Sequence, residues 1–117
     1  MRLWLLWVLL LLSQPLTAAE RVISLAPALS EIILELDAGE RLVGRVAGPP
    51  AIAALATVPT VGRYQQLEME TLLSLQPDLV LAWSDSLSNA QRSQLQQLGI
   101  PLFEVAPRNL VQLGQLF

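Results

Sequence analysis

The stretch from Val61 to Trp83 predicts three structural elements in immediate succession. Four leucines recur in it at roughly helical spacing: Leu67, Leu72, Leu73 and Leu75. Pro77 cannot continue a helix, and Leu79–Trp83 after it is an unbroken apolar run. Such a run is typical of a strand that is covered on both faces of a parallel sheet. The pattern therefore predicts a short helix, a corner at Pro77–Asp78 and a buried strand.

The apolar pattern elsewhere predicts three more strands, Arg21–Leu25, Leu42–Val46 and Ile100–Val105. It also predicts four more helices: one with Leu29, Ile32, Ile33 and Leu36 that ends at Asp37–Gly39, a short one over Ala51–Ala56, one over Asn89–Leu98 that stops at Gly99, and one after Pro107–Asn109 with apolar positions Leu110, Leu113, Leu116 and Phe117. Strand, helix and strand at these distances form a right-handed βαβ unit. The predicted fold class is α/β: a Rossmann-like lobe with a central, mainly parallel sheet flanked by helices.

The parallel sheet also predicts where a ligand binds. The chain at Arg63–Tyr64 and the chain at Trp83–Ser84 each follow an apolar segment. Both are expected in loops at the same edge of the sheet. Ligands of open α/β sheets bind in the crevice beyond the carboxyl ends of the strands. We therefore expect the binding end of the protein at this edge.

The amino terminus has the pattern of a secretory signal peptide. One positive charge at Arg2 precedes the apolar run Leu3–Leu12, and small residues lead to Ala19. A membrane anchor is the alternative, but a spanning helix needs ~20 apolar residues. We expect cleavage near Ala19, so that residues 1–19 are a signal peptide and 20–117 are an exported domain. Because the chain has no cysteine, lipid attachment at the exit is not available.

Composition removes several classes of function. The chain has no cysteine and no histidine, so it lacks the commonest general base and the commonest metal ligands. Six arginines and ten acidic residues follow residue 19, a net charge of −4, which argues against a nucleic-acid partner. Nothing resembles a nucleophile paired with a base, so no enzyme is expected. A nucleotide-binding enzyme would need a glycine-rich turn after the first strand, and Leu25–Leu29 contains no glycine.

Four segments in order resemble a known family: Arg21–Ile32, Asp37–Gly44, Leu72–Trp83 and Gln97–Pro101. Together they resemble the amino-terminal lobe of the periplasmic substrate-binding proteins of ABC importers, in the class for vitamin B12, haem and iron-siderophores. The B12 binders are the most similar group. The resemblance implies two α/β lobes joined by a long helix, with this chain as the first lobe of a longer protein.

The resemblance also implies a function. Proteins of this class hold one ligand between their lobes and deliver it to a membrane permease, with no resident cofactor. We expect a monomer that binds cobalamin or a related corrinoid, with haem or a ferric siderophore as the alternative. Zinc and manganese receptors of similar architecture need histidine ligands, and this chain has none. A single lobe encloses a ligand on one side only, so we expect millimolar or weaker affinity for residues 20–117 alone.

By this resemblance, Tyr64 and Trp83 are ligand-binding residues. Ser84 and Asp85, directly after Trp83, are candidates to hydrogen-bond polar groups of the ligand, and Arg63 is a candidate to face an anionic group. Tyr64 stands where B12 binders usually carry a pocket aromatic and haem binders a tyrosine iron ligand. Trp83 is similar to a pocket tryptophan. The alternatives remain open: a tyrosine packed on its own loop, a core tryptophan, and solvated side chains at the other three positions.

The resemblance implies a second kind of site at Glu70. In this family the corresponding glutamate projects into an arginine-lined recess of the permease, although a glutamate on a helix is ordinarily just solvated. The chain departs from the B12 binders before Pro49–Pro50, where the short segment Arg45–Gly48 contains no tyrosine.

Overall fold

The fold is a six-stranded sheet with helices on both faces. The computed structural model describes residues 18–47, 53–63 and 66–117. The strands are β1 (Val22–Ser24), β2 (Leu42–Ala47), β3 (Thr60–Arg63), β4 (Gln66–Leu67), β5 (Leu79–Trp83) and β6 (Leu102–Val105). They lie in the order β4-β3-β2-β1-β5-β6, and all pairs are parallel except β3 with β4. The predicted α/β fold class is confirmed.

Within these described residues, four α-helices cover the sheet in two layers: α1 (Pro27–Glu35), α2 (Met69–Ser74), α3 (Asn89–Gln97) and α4 (Leu110–Gly114). Leu29 and Ile33 of α1 and Leu113 of α4 belong to one hydrophobic core. Leu72 of α2 and Leu95 of α3 belong to a second core on the other face. Each helix therefore buries one apolar stripe against the sheet, which is the pattern of an amphipathic helix.

β5 confirms the prediction of a strand buried on both faces. Leu81 packs in the first core, while Val80 and Ala82 pack in the second, because successive side chains of a strand point to opposite faces. The corner before it is confirmed as well. Asp78 accepts hydrogen bonds from the main-chain N–H groups of Glu20 and Arg21, at 2.9 and 3.0 Å. The corner is thereby joined to the start of β1.

Sequence patterning misplaced two residues around the central helix. Leu67 was expected in the helix but lies in β4, and Arg63 was expected in a loop but is the last residue of β3. The reason is a short antiparallel pairing in which Gly62 lies opposite Leu67 and Arg63 opposite Gln66. The helical spacing of Leu67 was therefore a coincidence of a very short strand.

Helix ends were predicted with mixed success. Gly99 adopts a positive φ of 70° after α3, as expected. At the end of α1 the left-handed residue is Asp37, with φ 56°, and Gly39 instead starts a 3₁₀ turn over Gly39–Arg41. Aspartate tolerates this conformation because its short polar side chain bonds locally.

Two other helix predictions need correction. The predicted helix over Ala51–Ala56 is a 3₁₀ turn, Ala53–Leu55, within the described residues. Leu110 was expected on the apolar face of the last helix, but it is 41% exposed, whereas Leu113 is fully buried. The chain enters α4 through a further 3₁₀ turn, Pro107–Asn109, and that entry sets which side of the helix faces the core.

Candidate functional site

The carboxyl edge of the sheet collects the ends of its five parallel strands. Trp83 lies opposite Val105, and Leu81 lies opposite Ser24, two residues before the edge. Ser24 in turn lies opposite Arg45, and Ala47 lies opposite Arg63. β2 and β3 lie on one side of β1, and β5 and β6 lie on the other. The order in which the chain adds strands to the sheet therefore reverses between β1 and β5. That position is the usual ligand crevice of an open α/β sheet.

Two buried serines shape the turn at this crevice. Ser24 and Ser30 are 0% and 1% exposed. The Ser30 hydroxyl donates to the Ser24 Oγ at 2.9 Å, and the Ser24 hydroxyl donates to the Ala26 carbonyl oxygen at 2.9 Å. This chain of hydrogen bonds fixes the passage from β1 into α1. Sequence patterning missed it, although two serines on either side of Ala26–Pro27 were the available signal.

Trp83 ends β5 at the same crevice. Its ring is half-buried and packs against the first core, the one covered by α1 and α4. Its carbonyl oxygen accepts from the Ser86 N–H at 3.0 Å and from the Ser86 hydroxyl at 2.9 Å. These bonds hold the turn after the strand. Part of the indole remains accessible at the edge, so Trp83 combines a packing contact with an exposed aromatic surface.

Ser84 and Asp85 lie in that turn. Ser84 is half-buried and its N–H donates to the Val105 carbonyl oxygen at 2.9 Å, while Asp85 is exposed. Asp85 and Ser86 also line a hollow of about 370 Å³, together with Leu87, Ser88 and Gln91. The polar side chains after β5 are therefore available to a ligand that lies across the crevice.

Arg63 lies at the far side of the same edge, as the predicted common edge required. It is exposed at the end of β3, and Tyr64, the next residue, lies outside the described residues. Three strand spacings separate β3 from β5, which is ~14 Å at ~4.8 Å per strand. A ligand that contacts the ends of both strands therefore has to be an extended one.

Glu70 lies in the first turn of α2. It is exposed, and two residues along a helix place it on the opposite side from the buried Leu72. Its neighbour Glu68 differs, because the Glu68 carboxylate accepts a hydrogen bond from the Thr71 hydroxyl at 3.2 Å. Glu70 is therefore a carboxylate on the outer surface of the lobe.

A larger cleft lies at the opposite, amino edge of the sheet. It has a volume of about 520 Å³ and is lined by Ala18, Ala19, Asp78, Leu79 and residues 115–117. Strand topology favours the carboxyl edge as the ligand site despite this larger volume, since binding residues in such sheets come from the loops after the strands.

An ion pair between Arg92 and Glu104 is present in the described part of the chain. The pKa of Arg92 is raised, first by its hydrogen bond to Glu104 and then by the charge of that carboxylate; the Nη2 to Oε1 distance is 2.6 Å. The pair joins α3 to β6. Among residues 18–47, 53–63 and 66–117, no group of three acidic, histidine or cysteine side chains has the arrangement of a metal site. Within the same residues, no helix is both long and apolar enough to cross a bilayer.

Comparison with known proteins gives a consistent result. A family model described as periplasmic binding protein matches residues 22–115. A vitamin B12-binding protein of Yersinia pestis is 36% identical over 104 residues, which cover 89% of this chain and 37% of that protein.

Solved structures show the same similarity. The periplasmic vitamin B12 binding protein BtuF of Vibrio cholerae matches with a TM-score of 0.69 and 30% identity, over 76% of this chain and 35% of that one. A periplasmic haem binding protein from Pseudomonas aeruginosa also matches with a TM-score of 0.69, at 28% identity, over 74% of this chain and 31% of that one. The chain therefore spans about a third of the length of these relatives.

Proposed function

Because the chain belongs to the periplasmic binding protein family, we propose that it captures cobalamin or a related corrinoid in the periplasm for delivery to an ABC permease. The observation that carries the choice of ligand is the 36% identity, over nearly the whole chain, to a vitamin B12-binding protein. In this proposal residues 1–19 are a signal peptide cleaved near Ala19, and 20–117 are the first lobe of a monomeric binding protein. The cargo is a transported ligand and not a cofactor.

The proposed site is the carboxyl edge between Trp83 and the end of β3. Trp83 presents a partly exposed ring there, and aromatic faces bury large areas of flat ligands with few rotamers to fix. Ser84 and Asp85 supply hydrogen-bonding groups beside it, and Arg63 supplies a positive charge about three strands away. Tyr64 completes the proposed set. A broad, planar ligand with polar substituents matches this spacing.

Haem or a ferric siderophore is the second candidate, because a haem binding protein matches with the same TM-score as the B12 binding protein. In that case the Tyr64 hydroxyl is the proposed iron ligand. The two candidate ligands therefore use different parts of one residue. Cyanocobalamin would contact the ring of Tyr64, and haem would be bound by its hydroxyl.

We expect weak but localised binding when the ¹⁵N-labelled processed chain is titrated with cyanocobalamin. One lobe encloses a ligand on one side only, so the expected affinity is millimolar or weaker. Amide shifts are expected at Leu25–Ala26, Arg63 and Trp83–Ser86, and not at Asp78–Leu79 on the opposite edge. Tight binding would contradict the expected weak affinity of a single lobe, and shifts confined to the amino edge would contradict the proposed site.

Variants separate the contribution of the site from that of stability. Trp83→Ala is expected to abolish the shifts. Phe103→Ala is its matched control, since Phe103 also packs half-buried against the first core but lies two residues before the edge. Tyr64→Phe is expected to leave cyanocobalamin binding intact. Two results together would favour the second candidate. Haem would cause a Soret shift that Tyr64→Phe removes, and cyanocobalamin would cause no amide shifts.

Glu70 is the proposed contact with the permease. An exposed carboxylate gains bidentate hydrogen bonds from arginine side chains and steers the encounter. Glu70→Lys is expected to weaken binding to the purified permease in detergent about tenfold or more, which corresponds to about 1.4 kcal/mol. Glu35→Lys is the control, because Glu35 is also exposed but lies on α1, on the other face of the sheet. Equal losses for both variants would show a general charge effect and no docking role for Glu70.

A further inference from the structure

The carboxylate of Asp78 binds the first residues of the domain. Its Oδ2 accepts from the main-chain nitrogen of Glu20 at 2.9 Å, and its Oδ1 accepts from that of Arg21 at 3.0 Å. The N–H of Asp78 donates in return to the Arg21 carbonyl oxygen at 2.8 Å. The corner after α2 thus holds two successive nitrogens in a defined position, at the residues where export processing is proposed.

Cleavage between Ala19 and Glu20 would change the chemistry of one of those nitrogens. Thr17 and Ala19 are small residues at the two positions that a signal-processing peptidase requires. Hydrolysis by that peptidase breaks the amide C–N bond. Water supplies the oxygen of the new Ala19 carboxylate, and the Glu20 nitrogen leaves as an amine that is protonated at neutral pH. The nitrogen that now donates one neutral hydrogen bond would carry a full positive charge.

We propose that Asp78 is the receptor for the α-ammonium group of the processed chain. This proposal rests on the cleavage proposed above and is independent of the ligand. Processing would convert the existing 2.9 Å amide contact into an ion pair without moving either partner. Within the described residues, Asp78 has no arginine side chain as a partner. The new amino terminus would supply its cation.

The neighbouring charged groups leave this place to the ammonium. The Arg21 guanidinium is directed at the carbonyl oxygens of Leu75 and Gln76, at 2.6 to 3.1 Å. The Arg41 guanidinium lies over the ring of Phe117, 6.0 Å from its centroid; its 3.2 Å hydrogen bond to the Ala19 carbonyl oxygen belongs to the unprocessed chain and is lost on cleavage. The exposed Glu20 side chain is a further charge at this edge. It is negative, and so favours the protonated amine as Asp78 does.

The ion pair predicts a raised pKa for the α-ammonium group. Its reference pKa is about 7.7–8.0, and an exposed ion pair corresponds to a shift of roughly half a unit. Because the folded-state pKa is raised, the added stability is fully present below the reference pKa. It is lost as the pH rises through the folded-state value.

The absence of lysine makes this shift measurable. All seven basic residues of the chain are arginine, so the α-amine is the only primary amine of processed residues 20–117. After amino-terminal sequencing of the exported chain, reductive methylation with ¹³C-formaldehyde labels this one group, and NMR follows its titration. The expected result is a first residue of Glu20 and a pKa roughly half a unit higher in the wild type than in Asp78→Asn. Asp37→Asn is the control, since Asp37 is an exposed aspartate at the end of α1.

Acetylation of the same amine gives the readout that a purely structural role would not move. It removes the charge but keeps an N–H donor, so it is expected to lower the Tm of the wild type at pH 7 and to leave Asp78→Asn unchanged. Equal pKa values in wild type and Asp78→Asn, or a first residue other than Glu20, would overturn the proposal. If Asp78→Asn does not fold, an acetylated wild type with unchanged Tm overturns it and a lowered Tm that converges with the free amine above pH 9 supports it.

Discussion

Leu81→Ala is expected to lower the free energy of unfolding by about 2–5 kcal/mol. Leu81 is 0% exposed, lies in the middle of β5 and packs in the first core beneath α1 and α4. Its replacement leaves a cavity that the parallel strands on both sides cannot close, because β1 and β6 hold β5 by main-chain hydrogen bonds. Domains of this size have a total stability of about 5–15 kcal/mol. The variant is therefore expected to unfold at much lower urea concentration, as measured by circular dichroism.

Val111→Ala is the control for Leu81→Ala. Val111 is 81% exposed on α4, and alanine has the higher helix propensity, so its unfolding midpoint is expected to stay within about 0.5 kcal/mol of the wild type. Similar losses in both variants would mean that the sheet is not the centre of the core.

Gly62→Ala is expected to have the second large effect, about 2–4 kcal/mol, because two costs combine. Gly62 has a φ of 116°, a conformation that residues with a side chain rarely adopt. A Cβ atom there would also collide with the main-chain oxygen of Gln66 and lie 3.1 Å from the Leu67 Cα. The collision forces β3 and β4 apart, so we expect loss of ligand-induced shifts at Arg63 as well as loss of stability.

Gly99→Ala separates the two costs at Gly62. Gly99 also has a positive φ, 70°, but a Cβ added there meets nothing within 4 Å. It is expected to cost only about 1–2 kcal/mol, the price of the left-handed conformation alone. Urea unfolding of both variants tests this, and an equal loss for the two would remove the argument from the β3–β4 contact.

Sequence patterning was most successful where burial dictated the residue type. The run Leu79–Trp83 could be placed in a doubly covered strand because only a central strand of a parallel sheet needs five apolar residues in succession. The family, periplasmic binding protein, is confirmed by the match over residues 22–115. The placement of Arg63 and Trp83 at the same edge of the sheet is confirmed too. That prediction needed only the parallel direction of the strands.

Patterning failed where a few residues obey long-range pairing. Leu67 fits a helical repeat, but β3 recruits it into a two-residue strand through the bond from the Glu68 N–H to the Val61 carbonyl oxygen at 2.9 Å. Asp37 took the left-handed position that glycine usually holds. The roles of Trp83, Arg63, Ser84, Asp85 and Glu70 stay predictions, because a fold positions such side chains without specifying their ligand. The prediction for Tyr64 falls outside the described residues.

The hydrogen bonds of Ser24 and Ser30 beneath the β1–α1 turn have a consequence for ligand recognition. Ser30, Ser24 and Ala26 are already linked by hydrogen bonds inside the lobe. This part of the proposed binding surface therefore has its conformation before a ligand binds. A ligand that binds there would not have to order this stretch of backbone. The conformational entropy lost on binding would therefore come from other loops and from the ligand itself. The lobe would then offer a preorganised surface to one side of the ligand, and its selectivity would come from the segments around that surface.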